Sequence, residues 1–499
     1  MAKTVQIKNR VPGLSLVASA ALLVVLTGCS MIPKYERPAT PVAADWPAFG
    51  TSANTAASST VPAAADIEWQ SFFNDPQLRL LIDASLRNNR DLRVAVLNIE
   101  QARAQFQIAR ADQFPTIGVA ASGSRQTVRS TNGSGDNNIQ SVYSAGLALT
   151  SYELDFFGRV ASLKESALAQ YLATEEGRKS AQITLIATVA NTYLSLLADE
   201  ELLAITQQTL DSRGESLRLA KLRFDNGVTS ELEYRQAESL SEAARVALAQ
   251  QIRQRATDQN ALTLLVGQPL TGELAAALPA KKTLSDTAIM AEVPAGLPSD
   301  LLIRRPDVRQ AEQQLLASNA NIGAARAAFF PRISLTATAG SASSHLGDLF
   351  KSGSYGWTLA PQLLLPIFDA GRNQAGLQSA NAQRDIAIAQ YEKSIQVAFQ
   401  EVSDALAGRA TYGEQLRAQQ AQANAEATRF RLADLRYQNG VASYLDQLDA
   451  QRALFTARQA VVQVRLAQLQ SQVTLYKTLG GGWKEPVTVS GTTTATTTP

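Results

Sequence analysis

Two periodicities divide this chain. In its longest proline-free stretches, Gly158 to Gly267 and Gly371 to Glu485, apolar residues recur every three or four positions. Ile388, Tyr391, Ile395, Phe399, Val402 and Leu406 form one such stripe. About 68 residues separate Gly158 from Asn226, so a helix there would run roughly 100 Å. A stripe of that length cannot be buried in a small globule and must pack along other long helices. Helical pattern alone fits a plain structural coiled coil.

Four other stretches change the period to two. Ile117, Val119 and Ala121 alternate with Thr116, Gly118 and Ala120. Tyr143, Ala145, Leu147 and Leu149 alternate with Ser144, Gly146, Ala148 and Thr150. Ile333, Leu335, Ala337 and Ala339 alternate with Ser334, Thr336 and Thr338, and Tyr355, Trp357, Leu359 and Leu363 with Gly356, Thr358, Ala360 and Gln362. Polar loops, Arg125 to Gln140 and Ser341 to Ser354, join them in pairs. Apolar outside, small and polar inside, with aromatics at strand ends, is the demand of a membrane β-barrel, although a soluble sandwich also alternates. Four strands are too few to close a barrel, and open edges are prohibitive in lipid. Closed barrels begin at about eight strands, so several copies must share one.

The two patterns occur twice in the same order. Arg110-Ala-Asp-Gln-Phe-Pro-Thr-Ile117 recurs as Arg326-Ala-Ala-Phe-Phe-Pro-Arg-Ile333, Gly158-Arg159 as Gly371-Arg372, and Leu222-Arg-Phe-Asp-Asn-Gly-Val-Thr-Ser230 as Leu435-Arg-Tyr-Gln-Asn-Gly-Val-Ala-Ser443. The offsets are 216, 213 and 213 residues, which marks an internal duplication. The expected layout is a leader over 1–28, an irregular arm over 29–75, a first repeat over 76–299, a second over 300–486 and a disordered tail over 487–499. The first repeat holds a strand pair at 115–152, a helix pair at 158–267 and a linker; the second holds a strand pair at 332–366 and a helix pair at 371–480.

Composition narrows the chemistry. The chain has 499 residues and a formal net charge of +2, so no basic field points to nucleic acid. One Cys excludes an internal disulfide framework, and one His makes His-dependent catalysis a poor reading. His345 falls in a polar loop and reads as a solvated residue. Gly-Lys occurs nowhere, so a Walker A loop is absent. No constellation supports an enzyme, and no metal or cofactor is expected.

Lys3, Lys8 and Arg10 precede an apolar run from Leu14 to Leu26, too short to span a bilayer. It ends Leu26-Thr27-Gly28-Cys29, which resembles a lipoprotein cleavage motif. The alternative is an ordinary signal peptide with an incidental Cys. Because Cys29 is the sole Cys, the expectation is S-diacylglycerol and N-palmitoyl on Cys29, a firm anchor at about 0.8 kcal/mol per buried CH₂. The non-acidic Ser30 points to export to the outer membrane. No later segment has about 18 uninterrupted apolar residues.

Over nearly the whole mature chain the sequence resembles the TolC-type outer-membrane factors, specifically the lipoproteins serving resistance-nodulation-division efflux pumps. The resemblance lies in Trp69 to Ala95, Tyr152-Glu-Leu-Asp-Phe-Phe-Gly-Arg159, Leu297-Pro-Ser-Asp-Leu-Leu-Ile-Arg-Arg-Pro-Asp307, Ala311-Glu312, Asn321-Ile-Gly-Ala-Ala-Arg326 and Leu475-Tyr-Lys-Thr-Leu-Gly-Gly-Gly-Trp483. It implies a mainly α fold with a β-barrel part: a homotrimer whose twelve strands, four per chain, form one outer-membrane barrel continued by a periplasmic helical barrel. It also implies a periplasmic adaptor and an inner-membrane proton-driven transporter as partners, and passive export of drugs and other amphiphiles. The alternatives are a type I secretion duct and a non-channel coiled-coil lipoprotein or adaptor.

The resemblance also places a gate. The turns at Gly227-Val228 and Gly440-Val441 match the periplasmic tips that receive the adaptor. Leu445, Asp446 and Asp449 match the constriction; Asp446 and Asp449 share a helix face, and a trimer would repeat them as an acidic ring open to cation block. Two solvated Asp favoured by a helix start are the plainer alternative. Arg436 and Tyr437 match residues that bridge to an acidic group on the neighbouring hairpin, here Glu233. Ala442 stands where some relatives carry a latch Arg, which weakens that link here.

Overall fold

The computed structural model describes residues 30–43, 45–47, 66–129, 137–279, 282–284 and 304–483. Cys29, the 297–303 part of the linker motif and the Thr-rich tail lie outside these residues. The elements in chain order are α1 Trp69–Phe72, α2 Pro76–Asn88, α3 Arg90–Ala111, β1 Ile117–Arg129, β2 Asn137–Leu154, α4 Arg159–Asp225, α5 Glu231–Val266, α6 Glu273–Ala276, α7 Pro306–Ala327, β3 Arg332–Ser343, β4 Tyr355–Leu364, α8 Arg372–Gln438 and α9 Tyr444–Thr478.

The duplication is copied into the geometry. α4 and α8 each have 67 residues, and α5 and α9 have 36 and 35. Both 67-residue helices begin at an Arg directly after a left-handed glycine, Gly158 at φ 71° and Gly371 at φ 86°. One 18-residue window of α4 is long and apolar enough by composition to cross a membrane, yet 67% of it is buried within the protein. Its apolar run is therefore a core stripe.

The chain divides into two compact units. The described residues of the first lie within 30–39, 99–173 and 311–391 and contain one antiparallel sheet in the order β1-β2-β3-β4. β1 and β4 are its unpaired edges. On the edge strands the apolar members of the period-two pattern are exposed, Val119 at 82% and Trp357 at 72%, whereas Ile333, Leu335, Ala337 and Ala339 of β3 are half-buried. Gly146 faces Gly340 across β2 and β3. A Cβ on Gly146 would collide with the Ala339 carbonyl oxygen, so only glycine permits this approach. The register shifts between Leu149 and Tyr152, where Ser151 takes φ 51°.

In the same unit the N-terminal arm runs against α7. Asn319 donates to the Pro33 carbonyl at 2.8 Å, and Arg37 grips Glu312 with two bonds of 2.8 and 2.9 Å. Ile32 lies where a Cβ on Gly323 would meet it. Residues 30–43 and 45–47 of the arm have no helix or strand, whereas its end, read as irregular to residue 75, forms α1 at Trp69–Phe72. Side-chain bonds to α7 hold the arm at Pro33 and Arg37.

The described residues of the second unit lie within 40–98, 174–310 and 392–483. Asp75 caps α2, accepting from Gln77 N at 2.8 Å, with Pro76 pre-set at the first helical position. Phe72 stacks on Tyr476 at 3.9 Å between centroids, and Phe73, Leu78, Leu81, Ile82, Tyr193 and Leu197 are fully buried around them. The buried Arg305 guanidinium is held by Asp307, Glu401 and the Thr478 carbonyl. A buried guanidinium left with fewer acceptors would be costly, which explains the Arg-Pro-Asp spacing.

Candidate functional site: the twin hairpin tips

Each long helix pair turns through the same backbone device. At the first tip Val228 N donates to the Arg223 carbonyl at 2.8 Å and Gly227 N to Phe224 at 2.9 Å. At the second, Val441 N donates to Arg436 at 2.8 Å and Gly440 N to Tyr437 at 3.0 Å. These two-bond closures need a left-handed residue after the helix, and Gly227 (φ 67°) and Gly440 (φ 71°) supply it. Asn226 and Asn439 each return a side-chain bond of 2.7 Å to the carbonyl four residues back. Ser230 and Ser443 then cap the returning helices α5 and α9.

The second tip packs on the first through a buried cluster of Ala220, Ala237, Leu240, Tyr444 and Leu448, with Leu217 and Tyr437 against it. Tyr437 and Tyr444 lie 5.3 Å apart, centroid to centroid. Arg223 covers the Tyr437 ring at 5.4 Å and donates to its hydroxyl at 2.8 Å. Burial pushes the Tyr444 phenol up to about 12, with Tyr437 and Glu233 adding to it. Burial also raises Tyr437, and Arg223 opposes that rise.

The residues matched to the constriction lie on the opposite side of α9. Leu445, Asp446 and Asp449 are exposed, while Tyr444, just before them, and Leu448, among them, are buried. Asp446 is half committed: its Oδ2 accepts from Ser443 N at 3.2 Å while Ser443 Oγ accepts from Asp446 N, a reciprocal capping box. Asp449 lies 3.6 Å from Arg452, an exposed pair worth at most about 1 kcal/mol. Both carboxylates face outward from one chain, and one of them also serves as a cap.

The residues matched to the latch part company. Tyr437 is engaged by Arg223, a residue to which the family pattern does not point. Glu233 accepts from Thr229 Oγ1 on its own hairpin. Arg436 is exposed, and among the described residues its side chain has no bonding partner. Aligning the repeats holds a signal for Arg223: Phe224 corresponds to Tyr437, and the added hydroxyl is the atom Arg223 reaches.

This arrangement of two strand pairs, two long helix pairs and twin tips has relatives. The model of the outer membrane efflux protein family matches residues 81–268 and again 297–481. The chain belongs to the outer membrane efflux protein family. This efflux protein is 50% identical over 472 residues to the probable efflux pump outer membrane protein TtgC of Pseudomonas putida, spanning 94% of this chain and 96% of that one. It is 44% identical over 469 residues to the outer membrane protein OprJ of Pseudomonas aeruginosa, spanning 93% and 96%. Among solved structures, the open-state MtrE outer membrane channel of Neisseria gonorrhoeae superposes with a TM-score of 0.80 at 40% identity, covering 91% of this chain and 99% of that one. A membrane protein from Pseudomonas aeruginosa superposes at 0.82 with 43% identity, covering 91% and 98%. The efflux protein is thus an outer-membrane channel component, mainly helical with a four-stranded sheet per chain.

Proposed function

We propose that this efflux protein forms a homotrimeric, lipid-anchored exit duct that passively conducts drugs and other amphiphiles for a tripartite pump. The observation that supports this most is the open sheet. It leaves two unpaired edges, which lipid tolerates only in a closed barrel, and exposes large apolar side chains such as Val119, Leu147, Trp357 and Leu363. Three copies of four strands give twelve, within the range of bacterial barrels. The names of TtgC and MtrE, an efflux pump outer membrane protein and an outer membrane channel, agree with this reading. A periplasmic adaptor docks at Gly227-Val228 and Gly440-Val441, and an inner-membrane resistance-nodulation-division transporter supplies the driving force.

Lipidation at Cys29 completes the anchor. Arg326, near the end of α7 and just ahead of β3, donates to the Met31 carbonyl at 3.5 Å, so the arm leads back toward the strands. Substitution of Cys29 should abolish fatty-acid labelling; continued incorporation would refute lipidation there.

Leu445, Asp446 and Asp449 form the constriction. Replacing both Asp with Ala should raise single-channel conductance in planar bilayers and reduce block by divalent cations, and unchanged conductance removes the assignment. Deletion of the gene, followed by a broad drug-susceptibility panel, tests the whole proposal. Sensitisation to many amphiphilic drugs is expected; loss of one secreted protein would instead point to a secretion duct.

A further inference from the structure

Between α4 and α5 lies a carboxyl pair that none of the channel features above uses. Asp199 ends the charge-free run Ala181 to Ala198 and is 5% exposed. Its Oδ1 accepts from Gln251 Nε2 at 3.0 Å, but its Oδ2 is buried with no hydrogen-bond donor. The carboxyl of Asp258, two turns beyond Gln251 on the same face of α5, lies beside it. Asp258 itself accepts from Gln254 Nε2 at 3.3 Å.

The charged groups acting on Asp199 are Asp258 and Glu200, both acidic. The cation on that face of α5, Arg255, is bonded to Glu200, and Lys282 is committed to Gln77 and Asp75. On α9 the neighbouring contribution is neutral: Gln470 donates to Asn191 and Ser195. Two adjoining carboxyls without a cation cannot both ionise cheaply, and a buried oxygen without a donor is itself unfavourable. One proton on Oδ2, directed at Asp258, answers both.

We propose that Asp199 and Asp258 share one proton as a clasp between α4 and α5, closed while protonated and loosened as the surroundings turn alkaline.

Burial, then Asp258, hold the Asp199 carboxyl up at about 7, against 3.8 for the free group. Between these values the closed state keeps a proton that the opened state has released. The clasp therefore stabilises most at low pH, weakens as pH rises through this window, and levels off above it. Proton linkage sets the expected change in local opening at about tenfold between pH 6 and pH 8.

Hydrogen exchange of the full chain in detergent, corrected for intrinsic rates, tests this at amides 195–203 and 251–262. Wild type should open about tenfold more at pH 8 than at pH 6. Asp199→Asn replaces the protonated carboxyl with an amide that still donates to Asp258, so the pH step should vanish with protection retained. Asp258→Asn repeats the test from the other partner and covers the case in which the first variant does not fold. Wild-type protection that is flat with pH, or a step that survives both substitutions, overturns the clasp. Neither result bears on whether the protein is an efflux duct.

Discussion

The two hairpin tips share a backbone but not a surface. At equivalent positions of the returning helices, the first tip has Glu231 and Arg235 and the second has Tyr444 and Leu448. Glu231 and Arg235 are 63% and 58% exposed and paired to each other, whereas Tyr444 and Leu448 are buried. The equivalent arginines, both exposed, diverge as well: Arg223 donates to Tyr437, and the Arg436 side chain has no bonding partner among the described residues. The turn chemistry was kept in duplicate because it answers the backbone. The side chains were free to make one hairpin a platform and the other its guest.

The comparison can be broken in order of effect. Tyr444→Ala should cost about 3–5 kcal/mol of local stability, read as faster exchange and proteolysis around the second tip, whereas Glu231→Ala should stay within about 0.5 kcal/mol. Equal effects at the two positions would end the platform-and-guest picture. Gly227→Ala and Gly440→Ala should each cost about 1–2 kcal/mol, and matching losses in chemical denaturation would show that the turns are equivalent. Asp446→Ala should cost about 1 kcal/mol through loss of the capping box. Tyr437→Phe, which makes the second tip resemble Phe224 of the first, should cost about 0.5–1 kcal/mol, measured by a double-mutant cycle with Arg223. A zero coupling energy would remove the hydroxyl from the account.

Much of the fold could be read from period and repetition. β3 begins at Arg332 and α8 at Arg372, because alternation and the Gly-Arg pair mark where each pattern starts. Helical period, however, says that a stripe is buried and not what buries it. The contact of Tyr444 with Ala220 and Ala237 was invisible for that reason. The path of the arm was hidden differently: Arg37 meets Glu312 across a separation of 275 residues, and no local pattern encodes a long-range ion pair. At the tips the Gly-Val turns were legible from Asn-Gly-Val. The capping box was available in Ser443-x-x-Asp446 but masked by the constriction reading of the same Asp446.

The equal lengths of α4 and α8 have a consequence for how such a protein can change. Removing one residue from α8 would draw its tip back by about 1.5 Å and swing it by about 100°. Gly440 would then leave the level of Gly227, and Tyr437 would turn away from Arg223. The 67-residue helices act as matched rulers, so an insertion made in both repeats together should be tolerated better than the same insertion in one alone.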